Sequence, residues 1–416
     1  MSARPRLLVA VATLLATSVL GTTASAATGV PREAGPLTDQ IAPQIGGPIS
    51  DAELEDLQSI AAQKGLSLRQ ATKRYAWNDD FALAVAEVRR VAPEAFAHAE
   101  IIDADNVWLA YAADAPSAAH QVMNDFRRQY SGVAVDIRQG WGYTERALQA
   151  GIEGVHEALL VTPGVRTAST SYDVEARTIR TAVVLEQGAD AGRLPLVART
   201  GLERAAGRSA ANRILTSVVA SKHLHLGGND SSSNHHGGEA ITGCTSGFGT
   251  MTSGGVRGIS TAGHCGDSQA DDGSTLTFRL SYRGTHGDFQ LHTGPQAETD
   301  DFYAGSSTAL EVSLRDVSGV GAPVVGQSLC KNGRVGFQDC QEVRKLDVCF
   351  DGDCNMVQMG SRLAEGGDSG GPVYWGNTAY GLHKGYHYDP VFPYDRDLFS
   401  RADRIDNALN TNIATS

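Results

Sequence analysis

Two short motifs in the second half of the chain hold the residue types that nucleophilic catalysis needs. The first is TAGHC, residues 261–265, with His264 beside Cys265, and the second is GDSGGP, residues 367–372, with Ser369 at its centre. A serine hydroxyl becomes an effective nucleophile when an imidazole accepts its proton, and that imidazole needs a carboxylate to fix its tautomer. Taken singly, His264 is equally explained as a core histidine beside a cysteine, and Ser369 as a serine in a glycine turn. Together they favour acyl-transfer chemistry.

Acyl transfer also requires N–H donors for the oxyanion that develops on the attacked carbonyl. Gly367 stands two positions before Ser369, and a glycine there leaves the backbone free to turn its N–H toward the reacting oxygen. We therefore predict that the amides of Gly367 and Ser369 form the oxyanion hole.

GDSGG also matches GxSxG, the nucleophile elbow of α/β-hydrolases, which is the main alternative. That elbow requires a helix directly after the serine and the chain order serine, acid, histidine. Here PVYW, residues 372–375, follows the serine and favours a strand, and His264 lies 105 residues before Ser369. The order histidine before serine is that of double-barrel serine proteases, so the elbow interpretation fails.

The elements that must position these residues differ between the two halves of the chain. Residues 50–202 alternate between helix-like and strand-like patterns, with capping boxes opening at Ser50 and Ser67 and an apolar, strand-like run over 157–165. This half contains no cysteine and predicts an α+β region. A polar linker rich in serine, glycine and histidine follows over 222–238, and we interpret its histidines as solvated.

Beyond residue 238, short runs rich in valine, threonine and aromatic residues are separated by glycine turns, for example over 276–282, 309–312 and 341–348. Such a pattern predicts an all-β barrel or sandwich, with a single helix over 398–409. The whole chain of 416 residues carries 47 acidic against 35 basic residues. A net charge of −12 argues against a nucleic-acid partner, which would need a basic face.

All six cysteines lie in the second half, at Cys244, Cys265, Cys330, Cys340, Cys349 and Cys354. An even number in one region of an exported chain predicts three disulfides, and pairing in sequence order is the simplest of the fifteen possible connectivities. A zinc site is the alternative, but the chain has no CxxC pair.

The first 26 residues have a basic start, an apolar run over 7–20 and an ASA sequence before residue 27, the pattern of a secretory signal. The apolar run is shorter than the roughly 20 residues that span a bilayer, and no later segment is apolar for long enough. We therefore expect a secreted, extracellular protein without a membrane anchor.

The motifs resemble those of the secreted chymotrypsin-like serine proteases of bacteria, the streptogrisin and α-lytic protease family. TAGHC, GDSGGP and GGEAITGCTSGF, residues 237–248, look like that family's catalytic and mature N-terminal segments, and residues 170–188 resemble its propeptide. The resemblance implies an all-β protease domain of two six-stranded antiparallel barrels, over 223–416, after a signal peptide over 1–26 and an α+β propeptide over 27–222. The mature chain would begin between residues 222 and 237.

The resemblance also implies roles for single residues. His264 would be the general base and Ser369 the nucleophile, and Asp288, which opens a strand in GDFQLH, fits the family's orienting acid. In the family a basic residue after a barrel-linking cysteine pairs the aspartate before the nucleophile, which maps Lys331 onto Asp368. The family's cysteine shortly before GDSGG is absent here.

The specificity pocket is where the chain departs most from that family. Leu363 stands six residues before Ser369, where trypsin-like enzymes have an aspartate, so preference for a basic residue at P1 is not expected. The pocket wall would be GLHKG, which ends in His383, Lys384 and Gly385. If His383 or Lys384 faces the pocket, an acidic P1 residue is favoured. If both point outward, the pocket takes apolar side chains, and we rank this slightly ahead.

The resulting hypothesis is a secreted serine endopeptidase made as a zymogen, acting on protein or peptide substrates. The N-terminal half would assist folding and act as an intramolecular inhibitor, since an all-β domain of high contact order folds slowly. No metal or organic cofactor is required by this chemistry. The alternative is a secreted protease homologue without activity that acts as a binding protein.

Overall fold

A computed structural model describes residues 48–187, 189–220, 236–271, 274–294, 299–305, 313–389 and 394–416. The predicted signal peptide and the strand predicted over 309–312 lie outside these residues. The α-helices of the described part are α1 Asp51–Lys64, α2 Leu68–Tyr75, α3 Asn78–Val91, α4 Ser117–Gln129, α5 Glu145–Leu160, α6 Leu194–Ala211 and α7 Ile405–Leu409. Short 3-10 helices precede two of them, at Ala191–Arg193 and Ala402–Arg404.

The strands of the N-terminal half are β1 Phe96–Ile101, β2 Asn106–Tyr111, β3 Ala134–Arg138, β4 Val165–Asp173, β5 Thr178–Leu185 and β6 Leu215–Ala220. Those of the C-terminal half begin with β7 Ala240–Ile241, β8 Cys244–Thr245, β9 Gly249–Thr252, β10 Arg257–Thr261, β11 Gln269–Asp271, β12 Ser274–Gly284, β13 Gly287–Thr293, β14 Asp301–Ala304 and β15 Ser313–Asp316. They continue with β16 Gly319–Val320, β17 Ser328–Lys331, β18 Asp339–Phe350, β19 Asp353–Met359, β20 Pro372–Trp375, β21 Thr378–Asp389, β22 Tyr394–Arg401 and β23 Thr411–Ile413.

The predicted capping boxes explain where the first two helices begin. The Ser50 side chain accepts a hydrogen bond from the Glu53 amide while the Glu53 carboxylate accepts one from the Ser50 amide, and Ser67 and Gln70 repeat the arrangement. Gly65, with φ of 64°, ends α1 in the left-handed conformation that glycine adopts at low cost.

Two predicted elements are wrong. In the strand-like run over 157–165, residues 157–160 are the end of α5, residues 161–164 form a turn and only Val165 begins a strand. The buried residues of α5 recur at helical spacing, and a short apolar run by itself does not distinguish the two structures. The helix predicted over 398–409 begins as β22, because Leu398 and Phe399 are paired with strands on both sides. Only residues 405–409 form an α-helix there.

Two large sheets and two small two-stranded ones, β7-β8 and β14-β15, make up the described C-terminal half. One large sheet is six-stranded, in the order β11-β12-β13-β10-β9-β23. In the other, the strands β17-β20-β21-β22-β19-β18 close into a ring because β17 pairs with both β20 and β18. In the described residues the first sheet has no pairing that closes it, so the two six-stranded barrels stay a prediction.

The N-terminal half joins this second sheet. Strand β4 pairs antiparallel with β18, with Cys349 opposite Thr170 and Phe350 opposite Ser169, and β5 and β6 extend the sheet beyond β4. Helix α1 lies against the C-terminal half, where the buried side chains of Asp56 and Arg315 form an ion pair of 2.9 Å. The two halves therefore share a sheet and a buried ionic contact.

Three disulfides join the cysteines in sequence order, Cys244 to Cys265, Cys330 to Cys340 and Cys349 to Cys354. The first ties β8 to the TAGHC segment and the third closes the β18–β19 turn. None of the helices between residues 48 and 416 that the structure describes is long and apolar enough to cross a membrane.

Candidate active site

His264 lies in the turn that follows β10. The Cys265 amide donates to the Ala262 carbonyl oxygen over 3.0 Å, and the disulfide to Cys244 holds this turn against β8. A side chain on Gly263 would place a Cβ 2.7 Å from two carbonyl oxygens and 2.8 Å from Asp288 Oδ1. Glycine in TAGHC therefore allows the close approach of the histidine turn to the strand that carries Asp288.

Asp288 is the second residue of β13 and is buried. Its backbone amide donates to Ser400 Oγ over 3.0 Å, which ties the start of β13 to β22 of the other sheet. Asp288 therefore lies where the two sheets meet.

Ser369 lies in the turn before β20, and two glycines shape this turn. Gly367 has φ of 112° and Gly370 has φ of 92°, values that L side chains rarely adopt. The Ser369 carbonyl accepts a hydrogen bond from the Thr245 amide over 2.7 Å, which anchors the turn to β8. Within the described residues, neither the Gly367 nor the Ser369 amide donates to an acceptor of the chain.

Asp368 is buried beneath the turn and is fully hydrogen-bonded. Lys331 Nζ donates to its Oδ2 over 2.7 Å, and the amides of Val335 and Gly336 each donate to its Oδ1 over 3.0 Å. Burial alone would raise the pKa of Asp368, but the Lys331 ammonium and these amides hold it below its usual value. The pair implied by the resemblance is thus a buried contact in this structure.

The structure brings His264, Asp288 and Ser369 together. His264 Nδ1 lies 2.5 Å from Asp288 Oδ2, and its Nε2 lies 3.1 Å from Ser369 Oγ. Burial raises the pKa of Asp288, but the Lys384 ammonium and then the hydrogen bond from His264 hold it well below its usual range. Asp288 is therefore ionised, and an ionised carboxylate on Nδ1 leaves Nε2 to accept the serine proton.

The expected pocket residues lie in two segments. Leu363 is 37% exposed, and its amide donates to the buried Asp397 carboxylate over 2.9 Å. His383 and Lys384 are both buried, at 2% and 3% exposure, so the expectation that both point outward is wrong. Gly385 follows them across a register shift in the pairing of β21 with β22.

Lys384 does not face the expected pocket. Its ammonium lies 3.1 Å from Asp288 Oδ2 and also contacts the Asp353 carboxylate. The alternative in which its charge favours an acidic P1 residue therefore falls, because these two carboxylates already hold the ammonium. For His383, in contrast, the ring nitrogen Nε2 is buried and has no hydrogen bond in the described part of the chain.

Sequence reasoning missed three ionic residues around the site. Asp353 and Arg283 contact each other over 2.9 Å beside Asp288, and Asp397 supports the loop before Ser369. Burial raises the pKa of Asp397 to about 6. The acidic pair that flanks Gly352 in DGDC is the only sequence signal for Asp353, and solvated turns have the same composition.

No model of a protein family matches the chain. It is 32% identical over 165 residues to glutamyl endopeptidase 2 of Streptomyces griseus, a match that covers 36% of this chain and 84% of that protein. The chain belongs to the bacterial chymotrypsin-like serine proteases. It is therefore a serine-type endopeptidase by family.

A second relative agrees with this family. Serine protease 2 of Streptomyces fradiae is 30% identical over 165 residues, which cover 36% of this chain and 92% of that protein. Among solved structures, the Nocardiopsis protease NAPase is 22% identical and covers 44% of this chain and all of its own, with a TM-score of 0.38.

Proposed function

We propose that this protease hydrolyses peptide bonds through Ser369, with His264 as general base and Asp288 as the acid that orients it. The observation that carries the proposal is the line of two hydrogen bonds from Asp288 Oδ2 through the His264 ring to Ser369 Oγ. Each group alone has a structural explanation, but a binding protein gains nothing from this alignment.

In the proposed reaction, Ser369 Oγ attacks the substrate carbonyl carbon while His264 Nε2 accepts the hydroxyl proton. The ionised Asp288 stabilises the imidazolium that forms. The imidazolium then donates this proton to the leaving amine, and the C–N bond breaks to give an acyl-enzyme. Water then attacks the acyl carbon and gives a proton to His264 Nε2. The bond between the acyl carbon and Ser369 Oγ breaks, and His264 returns the proton to Oγ, which frees the acid and the serine.

The oxyanion of each tetrahedral intermediate would be held by the amides of Gly367 and Ser369. Both lack an acceptor in the described residues, and the positive φ of Gly367 makes this amide orientation accessible. Preorganised donors of this kind typically contribute 10²–10³-fold each to turnover.

At P1 we propose a preference for glutamate, recognised by His383. Burial and the nearby Lys331 ammonium lower the pKa of His383 to about 3, so the ring is neutral and carries one N–H. Its Nε2 is buried and has no partner in the part of the chain that is described. A buried unpaired polar atom costs about 1–3 kcal/mol, which a substrate carboxylate would recover. A relative at 32% identity is named a glutamyl endopeptidase.

The N-terminal half is proposed as a propeptide that is removed after secretion. Its strand β4 extends the second sheet, the one that closes into a ring, by pairing with β18. The Ile101 amide also donates to the Val325 carbonyl oxygen over 2.8 Å. Asp56 accepts from Arg315 and from the Gly376 amide, so α1 caps the C-terminal half through a buried charge. A segment that makes these contacts with the C-terminal half can guide the folding of that half and inhibit the protease until the segment is cleaved off.

The test uses three full-length chains secreted from a bacterial host: the wild type, Ser369→Ala, and Ser253→Ala as a control at an exposed serine. Each is incubated with a mixed peptide library, and mass spectrometry reads the cleavage sites and the N-terminus of the mature chain. We expect cleavage and a new N-terminus between residues 222 and 237 for the wild type and the control only. A correctly processed wild type without cleavage would instead support the binding-protein alternative.

The P1 proposal is tested with peptide nitroanilides that carry Glu, Gln, Phe or Lys at P1. We expect the highest kcat/KM for Glu, at least tenfold lower for His383→Leu and partly restored in His383→Gln, which keeps an N–H donor. A wild type that prefers Phe, with His383→Leu unchanged, would establish the apolar pocket.

A further inference from the structure

Two buried charges behind the triad have no part in the reaction described above. The side chains of Lys384 and Asp353 are 4% and 1% exposed. Lys384 Nζ lies 3.1 Å from Asp288 Oδ2, the same oxygen that lies 2.5 Å from His264 Nδ1. The ammonium and the imidazole therefore share one carboxylate oxygen.

An ammonium at this place weakens the electrostatic effect of Asp288 on His264. The aspartate must stabilise a positive imidazolium, and a neighbouring cation at close range lowers that stabilisation. Asp353 offsets the effect, because its Oδ2 contacts the same ammonium and also accepts from Arg283 over 2.9 Å.

The charges of this cluster balance only when the imidazole is protonated. The less exposed cations are His264 in its imidazolium form and Lys384, and the less exposed carboxylates are Asp288 and Asp353, so there are two of each. The more exposed Arg283 and Asp351 form a third pair whose charges also cancel. Arg283 Nε also lies 3.6 Å from Asp288 Oδ1, and Asp351 lies on the exposed side of Arg283. His383 is the remaining titratable neighbour, and it interacts electrostatically with His264.

Local structure places both members of the pair. Asp353 begins β19 directly after the turn closed by the Cys349–Cys354 disulfide, in which Asp351 has φ of 51° and Gly352 has φ of 85°. Lys384 lies within the register shift of β21 between His383 and Gly385, and such irregularities redirect a side chain. The third disulfide thus anchors the turn from which Asp353 reaches Lys384.

We propose that Lys384 and Asp353 form a buried ion pair that positions Asp288 and sets the charge against which His264 is protonated. Because the two charges offset each other, the intact pair leaves the pH above which this protease is active where the triad alone would place it, and either charge without its partner would shift that pH. The inference rests on the proposed triad, and both residues are positioning residues because they act through Asp288.

The proposal predicts shifts of opposite sign for the two partners. Lys384→Met removes the ammonium that Asp288 and Asp353 share and leaves Arg283 as their remaining fixed cation, which favours the imidazolium and moves the acid limb of kcat/KM to higher pH. Asp353→Asn leaves the ammonium uncompensated, which disfavours the imidazolium and moves the acid limb to lower pH. Each shift is expected to be on the order of one pH unit. The double variant restores the wild-type midpoint.

The experiment measures kcat/KM between about pH 4 and pH 9 on full-length chains that have been secreted and processed. Rates are divided by the concentration of active sites, titrated with a fluorophosphonate, so the midpoint does not depend on yield. Asp351→Asn is the matched control, since Asp351 lies on the same turn, is 51% exposed and is screened by solvent. Its midpoint is expected to stay within about 0.2 pH units of the wild type.

Opposite shifts that cancel in the double variant support the proposal, and shifts of the same sign, or none, overturn it. Each single substitution removes one partner of a buried ion pair, so its yield is expected to fall. If neither single variant gives titratable enzyme, the double variant decides: recovery of enzyme with the wild-type midpoint supports the pair, and no recovery overturns it. A wild type no more active than Ser369→Ala would overturn the proposed triad instead.

Discussion

Lys331→Met tests whether the buried contact beneath the nucleophile turn stabilises the protein. The Lys331 side chain is 5% exposed and that of Asp368 is fully buried, with 2.7 Å between Nζ and Oδ2. Removing one partner of a buried pair typically costs about 3–5 kcal/mol. Asp368 keeps three backbone donors, the amides of Val335, Gly336 and Glu365, so we expect the lower end, about 3 kcal/mol.

The pH dependence of that loss has a definite sign. The depressed pKa of Asp368 contributes stability above its ordinary pKa of 3.8, and this contribution is lost as the pH falls through the native value. In Lys331→Met the cation is gone, so burial raises the pKa of Asp368 and the carboxyl protonates more readily. The deficit is therefore greatest near pH 7 and shrinks toward about pH 4.

The measurement is urea unfolding followed by tryptophan fluorescence, in full-length chains that carry Ser369→Ala to prevent self-cleavage. Arg344→Met is the control, because Arg344 is 56% exposed and its contact with Glu342 is expected to contribute less than about 1 kcal/mol. A loss below about 1 kcal/mol for Lys331→Met, or an equal loss at both pH values, would refute the reasoning.

Three further predictions concern other parts of the chain. Gly263→Ala is expected to lower kcat/KM at least about 100-fold in peptide hydrolysis, because the new Cβ would meet Asp288 Oδ1 at 2.8 Å; unchanged activity would contradict this. Burial raises the pKa of Asp79 to about 7, so its ionisation weakens the native state as the pH rises from about 4 to 7. Asp79→Asn should therefore flatten the pH dependence of the urea midpoint over this range, and an unaltered slope would contradict the prediction. Replacing both Cys349 and Cys354 by alanine removes a loop with a sequence separation of 5, so the loss of unfolding free energy in urea should be about 2 kcal/mol, and a loss near zero would contradict the estimate.

The structure confirms the sequence-based predictions of local features that depend on interactions between residues close together in the chain. The capping boxes at Ser50 and Ser67 satisfy amides within three residues, so they hold in any tertiary context. The helix predicted over 398–409 failed because β22 obtains its hydrogen bonds from β19 and β21, which are distant in sequence. No window of the local sequence contains that information.

The residue types proposed for catalysis and their order were readable from the sequence, because a serine nucleophile needs glycines at fixed offsets and a histidine in its own motif. The short distances among His264, Asp288 and Ser369 come from packing two sheets across a cleft. The charges behind the triad were decided by tertiary structure alone, since a register shift in β21 turns Lys384 away from the pocket and toward Asp288 and Asp353. Because a charge that loses its water on burial needs an oppositely charged partner, these residues depend on one another. The spacing of residues in the sequence does not show which side chains are buried together.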